Sequence, residues 1–460
     1  MTGTPTAEVV ICGAGIAGIS AAYQLTVRHG LADVVMVDDQ PPLSVTSDKS
    51  TECYRNWWPG PGDTMVRFMN RSIDLLEELA AESGDRFVMN RNGYVYLTAD
   101  PARAAEFERG AREISELGAG ALRVHRGGPD DPPYPEERFD QLDPSLTGAD
   151  LVLDRERILR RFPFLPPDVA AMLHIRRCGW LSAQQLGMYL LERARERGLR
   201  QVRGRIEEVI VCDGRVEAVR LAPGADVETI ATRRFVNAAG PLAADVGRRS
   251  GVELPLLNEL HGKVTFDDYL GILPRDLPLM IWSDPVTLAW SEEEREQLAQ
   301  DPELRWLLEQ MPAGVHFRPE GGPHSRMHLL LWTYHLDPVE PVFPPRFDPF
   351  YPEVVLRGLV RMVPALAGYL GRMRRPYVDG GYYCKTRENR PLIGPTPVAG
   401  NYLLCGLSGY GIMASQAAAE LLAAHLLQTG LPDYAGEFLL SRYQDPVYLE
   451  RMEAMTSGQL

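Results

Sequence analysis

The feature that most constrains this chain is a glycine-rich turn directly after its first apolar run. Val9–Cys12 are four consecutive apolar residues, which is typical of a buried parallel strand. Gly13, Gly15 and Gly18 follow with the spacing G-x-G-x-x-G, and the next residues have the apolar period of a helix. A second apolar run ends at Asp38, twenty residues after Gly18. The sequence therefore predicts a strand, a tight turn, a helix and a second parallel strand.

This order of elements predicts a dinucleotide site. Gly13 permits the tight turn, Gly15 lets a pyrophosphate approach the backbone, and Gly18 lets the helix pack closely on the sheet. The N–H groups and the positive dipole of the helix N-terminus favour phosphate. Asp38 is placed to accept hydrogen bonds from ribose hydroxyls. The motif alone does not distinguish NAD from FAD.

Composition excludes several other classes. A net charge of −14 argues against nucleic acid or an anionic membrane as a main partner. With 45% hydrophobic and 24% charged residues the chain can bury large cores, and no apolar run approaches the length of a transmembrane segment. The few polar residues before the first strand leave no room for a signal or transit peptide. The six cysteines are scattered without metal-ligand spacing, so we expect reduced thiols, no metal site and a cytoplasmic location.

A second strand–turn–helix pattern near the other end of the chain favours FAD. Residues 402–405 are predicted to form a strand, residues 406–411 a glycine-rich turn, and residue 412 begins an alanine-rich helix. An NAD dehydrogenase usually has a substrate domain at this end. A second helix N-terminus could instead stabilise the negative charge that develops on a flavin when it is reduced. Between the two patterns, residues 86–97 are predicted to form a β-hairpin with its turn at 90–93.

Four motifs together resemble the FAD-dependent D-amino acid oxidase superfamily. They are the N-terminal turn, VNAAGPLA at 236–243, TRENRPLIG at 386–394 and GLSGYGIM at 406–413. The glycine/sarcosine oxidase and dimethylglycine dehydrogenase-like branch is the most similar. The resemblance implies an α/β fold with a Rossmann-like FAD-binding domain built from discontinuous segments, 1–85, 150–250 and 376–460. It also implies an α+β substrate domain, 86–149 and 251–375, with a large and mostly antiparallel sheet.

The resemblance further implies which residues bind FAD. Members that tether flavin through cysteine have it at the position of Gly381, and residues 46–55 contain no histidine tether, so we expect non-covalent FAD. The implied cofactor-binding residues are Gly13, Ala14, Gly15, Ile16, Ala17 and Gly18 at the pyrophosphate; Asp38 and Asp39 at the ribose; Ser47, Lys49, Ser50 and Thr51 in the following loop; Val209 at the adenine; Ala238, Ala239 and Gly240 beneath the cofactor; and Gly409, Tyr410, Gly411, Ile412 and Met413 at the flavin pyrimidine edge.

The chain departs from its relatives where the substrate would bind. Many amino acid oxidases have a carboxylate-binding arginine at the position of Tyr383, which leaves Arg55 as the candidate clamp. Arg55 could instead pair with Glu52 or Glu388. An aromatic pocket is expected from Tyr383 and from the residues Tyr54, Trp57, Trp58 and Tyr382, although all of these could simply pack in a core.

Two further residues are catalytic candidates. Oxidases of the sarcosine type have a lysine over the flavin that speeds the reaction with oxygen, but the similar stretch here, residues 327–335, contains none. Lys263 comes from another predicted strand and could serve, or could be a surface charge. His261 could approach the site, although a lone histidine in a strand is more often structural.

The resemblance implies oxidation of a C–N bond in an amine or amino acid, with secondary or N-methyl amines favoured. Flavin N5 would accept a hydride from the carbon beside a neutral amine, and water would hydrolyse the imine. The electron acceptor would be oxygen or a redox partner. The alternatives are a 2-hydroxy acid or alcohol dehydrogenase of the same superfamily, and a non-catalytic flavoprotein that acts as a binding or assembly factor. The sequence leaves the oligomeric state open.

Overall fold

Two large sheets, joined by helices, organise the computed structural model, which describes residues 5–139, 142–453 and 455. The strands are β1 Val9–Cys12, β2 Val34–Asp38, β3 Cys53–Arg55, β4 Tyr94–Thr98, β5 Leu122–His125, β6 Ala149–Val152, β7 Ala171–Ile175, β8 Cys178–Trp180, β9 Arg200–Arg203, β10 Ile206–Cys212, β11 Arg215–Leu221, β12 Thr229–Ala231, β13 Phe235–Asn237, β14 Leu257–Asp267, β15 Leu279–Trp282, β16 Val286–Thr287, β17 Gln310–Met311, β18 Val315–Pro319, β19 Met327–Leu331, β20 Tyr377–Lys385, β21 Leu392–Pro395 and β22 Asn401–Cys405. The helices are α1 Ile16–Tyr23, α2 Thr64–Ser83, α3 Pro101–Ile114, α4 Arg155–Arg161, α5 Ala183–Glu196, α6 Ala243–Arg249, α7 Glu292–Gln300, α8 Tyr351–Met362, α9 Gly411–Leu427 and α10 Pro446–Met452.

The first sheet has six strands in the order β21-β22-β13-β1-β2-β9 and is parallel except for β21. Strand β1 is buried on both faces, as its continuous apolar run predicts. Val9 and Ile11 pack into the core that contains α1 and α9, whereas Val10 packs against the three-stranded sheet β10-β11-β12. Helices on one face and a small sheet on the other therefore cover this Rossmann-like layer.

The second sheet has nine strands in the order β20-β14-β19-β18-β15-β4-β7-β6-β5. Its strand pairs are antiparallel, except for the parallel pairs β15–β4 and β5–β6. Alternate residues such as Val264, Phe317 and Leu330 pack with α8 in one core. The intervening residues point to the opposite face of the sheet, which carries polar side chains such as those of Lys263, His316 and Arg318. The predicted fold class, an α/β FAD-binding domain with a large and mostly antiparallel second sheet, is confirmed.

The chain divides between the two sheets at other points than the predicted boundaries. Strand β7 lies within the predicted FAD segment 150–250, and β20 within 376–460, yet both belong to the nine-stranded sheet. The predicted hairpin over 86–97 is wrong, because its second half alone forms a strand, β4, which pairs with β7 and β15. The backbone N–H groups of Asn90 and Gly93 donate to Trp180 and Cys178, so the first half of the segment satisfies its hydrogen bonds elsewhere.

Candidate active site

The glycine turn lies where β1 ends and α1 begins. Gly13 has φ +110°, and a side chain there would overlap the backbone of Ala238 at the end of β13. A side chain on Gly18 would overlap the carbonyl oxygen of Gly13. These contacts are why the motif needs glycine: two strands and one helix approach each other at backbone distance. Helix α1 begins after Gly15 without a side-chain cap from that residue.

Asp38 and the loop after β2 complete this turn. One Asp38 carboxylate oxygen accepts from Ala14 N at 2.6 Å and the other from Gln40 N at 2.8 Å. Burial raises the pKa of Asp38 above its usual range. The neighbouring Asp39 is exposed. Ser47 Oγ accepts from Ile16 N at 2.9 Å, so the loop is seated on the first turn of α1.

The second glycine turn leads from β22 into α9. Tyr410 precedes the helix and provides no side-chain cap. Gly409 packs against the ring of Tyr383, and a side chain on Gly409 would overlap that ring. Near β13, Gly240 has φ +54° with no heavy atom close to where its side chain would be, so Gly240 borders open space. The remaining predicted cofactor residue, Val209, pairs with Val219 in the β10–β11 hairpin.

A cavity lies between the nine-stranded sheet and the start of α9. Strand alternation decides which residues reach it, because only every second side chain of a strand points to one face. The cavity is lined by Thr51, Cys53, Arg55, Trp58, Tyr94, His261, Gly262, His316, Leu331, Thr333, Tyr383, Gly409, Tyr410 and Met413. Within this lining the permanent charge is the guanidinium of Arg55.

Arg55 is buried and held by its neighbours. Its Nη1 donates to Tyr96 Oη at 2.7 Å, and its guanidinium carbon lies 5.3 Å from the centre of the Trp58 ring. The two carboxylates that were considered as alternative partners are engaged by other arginines. Glu52 pairs with Arg318 at 3.3 Å, and Glu388 pairs with Arg442 at 2.7 Å. Both carboxylates therefore have an arginine partner other than Arg55.

His261 and Tyr383 form one stacked wall of the cavity. Their ring centres are 3.8 Å apart with an interplanar angle of 20°. His261 Nδ1 lies 2.8 Å from Thr333 Oγ1, and Nε2 lies 3.3 Å from a Glu259 carboxylate oxygen. Glu259 also pairs with Lys385 at 2.7 Å. Burial lowers the pKa of His261, with Glu259 opposing the shift, so the imidazole is neutral at pH 7.

The structure separates the other predicted pocket residues from the cavity. Tyr54 and Trp57 pack in the core beside the first sheet. Tyr382 lies on the opposite face of β20 from Tyr383, where its hydroxyl bonds to Val342 N and O at 2.9 and 2.8 Å. Lys263 Nζ donates to the carbonyl oxygens of Asp48 and Ser50 at 3.2 and 3.3 Å. Of the predicted aromatic pocket residues, Trp58 and Tyr383 reach the cavity.

Sequence reasoning missed six lining residues, and all but Cys53 lie on strands of the second sheet or just after one. Tyr94 lies on β4, Gly262 on β14, His316 on β18 and Leu331 on β19, and Thr333 follows β19. Burial lowers the pKa of His316 to about 4, so it is neutral at pH 7. Alternation along each strand could have identified these residues, but only once the order of the strands was known.

The fold and the cavity together indicate a flavoprotein oxidoreductase. The chain belongs to the FAD dependent oxidoreductase (DAO) family, whose model matches residues 8–425. This confirms the resemblance and the FAD dependence expected from the sequence. No helix among the described residues is long and apolar enough to cross a membrane, and they contain no cluster suited to a metal ion.

Relatives of known name are distant in sequence. Mitochondrial dimethylglycine dehydrogenase from Rattus norvegicus is 23% identical over 92% of this chain, and the Homo sapiens protein is also 23% identical. The chain spans less than half the length of these relatives, 43% and 42%. Among solved structures, glycine oxidase from Geobacillus kaustophilus has a TM-score of 0.71 at 16% identity, covering 95% of this chain and 99% of that one. L-proline dehydrogenase from P. horikoshii has a TM-score of 0.70 at 18% identity, covering 96% and 98%.

Proposed function

We propose that the protein oxidises the C–N bond of a small amino acid, with a secondary or N-methyl amine favoured. The observation that carries this proposal is the cavity, in which one buried guanidinium stands among aromatic walls. Arg55 supplies a fixed positive charge, and the described lining contains no carboxylate. A ligand with a carboxylate and a neutral amine suits this charge pattern, because the guanidinium fork binds a carboxylate bidentately.

The backbone of both glycine turns supports non-covalent FAD. The residues that precede α1 and α9, Gly15 and Tyr410, provide no side-chain cap, which leaves first-turn N–H groups other than that of Ile16, and the positive dipole ends, for a ligand. We propose that residues 13–18, Asp38 and Ser47 hold the adenosine diphosphate part. Residues 409–413 would hold the flavin edge, next to the cavity. Val209, Asp39 and the covalent state stay predictions.

The side chains of this cavity would bind and orient the substrate and exclude water from it. FAD, when bound, supplies a two-electron oxidant for the C–N bond, and water hydrolyses the released imine. Arg55 would orient the substrate through its carboxylate. Trp58, Tyr383 and Tyr410 would exclude water, which lowers the amine pKa by desolvation and favours the neutral amine. His261, neutral and stacked on Tyr383, would keep that ring in place.

An anaerobic reduction screen tests this function. The holoprotein is mixed with N-methyl amino acids, primary D- and L-amino acids, simple amines and 2-hydroxy acids, and flavin absorbance is followed. We expect N-methyl amino acids to bleach the flavin fastest. Bleaching by 2-hydroxy acids but not by amines would contradict the proposal. If no compound of the screen bleaches the flavin and dithionite also reduces it slowly, a binding role would be favoured.

The electron acceptor and the cellular location are proposed from the lysine contacts and the cysteines. Lys263 is bonded to the 48–50 backbone, and the cavity-lining residue of β19 is Leu331, so a redox partner is favoured over oxygen as acceptor. All six cysteines are free thiols, five of them buried, which fits a reducing compartment such as the cytoplasm.

A further inference from the structure

All three lysines of this arginine-rich chain lie near one loop and the adjacent strands. Lys49 is in the loop of residues 46–52, which we call the bridging loop; Lys263 is on β14 and Lys385 on β20. Strands β14 and β20 are neighbours, and Lys263 is opposite Asp379 in their register. An ammonium group is a compact charge with three donors, so it can bond several carbonyl oxygens at once.

The bridging loop connects the two parts of the site. At its start, Ser47 Oγ accepts from Ile16 N on the first turn of α1, at 2.9 Å. At its end, Thr51 lines the cavity, and the chain continues through β3 to Arg55. Any shift of this loop would therefore move the dinucleotide turn and the guanidinium relative to each other.

Cations of the second sheet hold the loop from its other side. Lys263 Nζ donates to Asp48 O at 3.2 Å and Ser50 O at 3.3 Å. Arg318 on β18 donates through Nε to Thr51 O at 2.9 Å. Lys49 pairs with Asp379 on β20 at 2.9 Å. Three strands of the nine-stranded sheet, β14, β18 and β20, thus fix a segment whose opposite side rests on α1.

We propose that Lys263 is a positioning residue, whose ammonium fixes the bridging loop so that bound FAD and Arg55 stay in one register. The part that concerns Arg55 rests on the proposed function. Lys263 is partly buried, so its loss would leave two backbone carbonyls without their donor in a place with little water. Burial also lowers the pKa of Lys263, while Glu52, Asp379 and Asp48 oppose the shift and Arg318 adds to it.

Binding of FAD to the apoprotein, measured by quenching of FAD fluorescence, tests this role without any substrate. Lys263→Met keeps the length of the side chain and removes its donors, and we expect roughly tenfold weaker FAD binding from the unsatisfied carbonyls. Lys263→Arg, which restores donors and charge, should recover most of the affinity. The matched control is Arg275→Met, since Arg275 also donates to backbone carbonyls, those of Met327 and Glu320, which lie outside the bridging loop.

Acetylation of lysines, followed by mass spectrometry, tests the contact in the unmutated holoprotein. Both Lys49 and Lys263 are partly buried, but Lys263 Nζ is bonded to two backbone carbonyls, so Lys263 should label much more slowly in the folded holoprotein than in the urea-unfolded chain. Equal labelling of Lys263 in the folded and unfolded states would overturn the proposal, as would equal loss of FAD affinity in Lys263→Met and Arg275→Met. Normal FAD affinity in Lys263→Met with slowed reoxidation by oxygen would also overturn it and assign Lys263 to oxygen chemistry. Failure of the proposed amine oxidation would leave the FAD titration unaffected, so the two failures are distinguishable.

Discussion

Replacing Arg55 by methionine is the most direct test of the proposed substrate class. Arg55 is 6% exposed, and its Nη1 donates to the Tyr96 hydroxyl at 2.7 Å. A carboxylate bound here would be a desolvated, charge-assisted pair. Removing one member of such a pair costs about 2–4 kcal/mol in transition-state stabilisation. We therefore expect kcat/KM to fall roughly 30- to 700-fold for a substrate with a carboxylate, since about 1.4 kcal/mol is tenfold.

The assay compares a matched pair of amines, N-methylglycine and dimethylamine, by the anaerobic rate of flavin reduction. Arg55→Met should lower the rate with N-methylglycine and leave the rate with dimethylamine unchanged, because dimethylamine has no carboxylate for the guanidinium to bind. Tyr96→Phe is the matched milder variant: it removes a hydrogen bond to the guanidinium but keeps the charge. It should cost about 1 kcal/mol, or roughly fivefold.

Equal losses with both amines would refute the reasoning. That result would mean that Arg55 supports the cavity through the Trp58 ring instead of binding the carboxylate. Flavin content and the unfolding midpoint of each variant need to stay close to the parent values, so that a rate change reports on the cavity.

Three further predictions concern the cofactor, acid stability and the electron acceptor. Gly13→Ala should abolish FAD retention through a size-exclusion column and lower the unfolding midpoint, since φ +110° and the Ala238 backbone exclude a side chain; retention of full flavin would contradict this. Burial lowers the pKa of His328 to about 4, so stability present above pH 6.5 should decline by up to about 3 kcal/mol as the pH falls towards 4. His328→Asn should flatten that decline in urea titrations between pH 7 and 4, and an unchanged slope would exclude the effect. Leu331→Lys should speed reoxidation by oxygen roughly tenfold by placing a cation beside the cavity, and an unchanged rate in stopped-flow mixing would exclude the idea.

The two glycine turns were predictable because their determinants are local. A strand, three glycines and an acid at fixed spacing specify one turn whatever surrounds them, and each position is required by backbone contact. The structure places Gly13, Gly18 and Asp38 in that turn, in agreement with the prediction. The same reasoning identified the start of α9, where local order along the chain again determines the geometry.

The hairpin over 86–97 failed for the opposite reason. Its alternation and turn residues are those of a hairpin, but the backbone of Asn90 and Gly93 finds partners near β8, far along the chain. A local sequence pattern cannot reveal a hydrogen-bond partner that lies some ninety residues away, so the pattern predicted a hairpin where the backbone bonds to a distant strand.

What the sequence determined by itself is the pair of glycine turns, the family and therefore FAD, because these depend on short fixed spacings. What the tertiary structure decided is which side chains meet at the cavity. Tyr382 and Tyr383 are adjacent, yet strand alternation places Tyr382 against Val342 on one face of β20 and Tyr383 against His261 on the other. The positions of Lys263 and Arg55 were also decided by the tertiary structure, which brings Lys263 to the backbone of the bridging loop and Arg55 into the cavity. Such choices depend on register between strands far apart in the chain, and no local spacing encodes them.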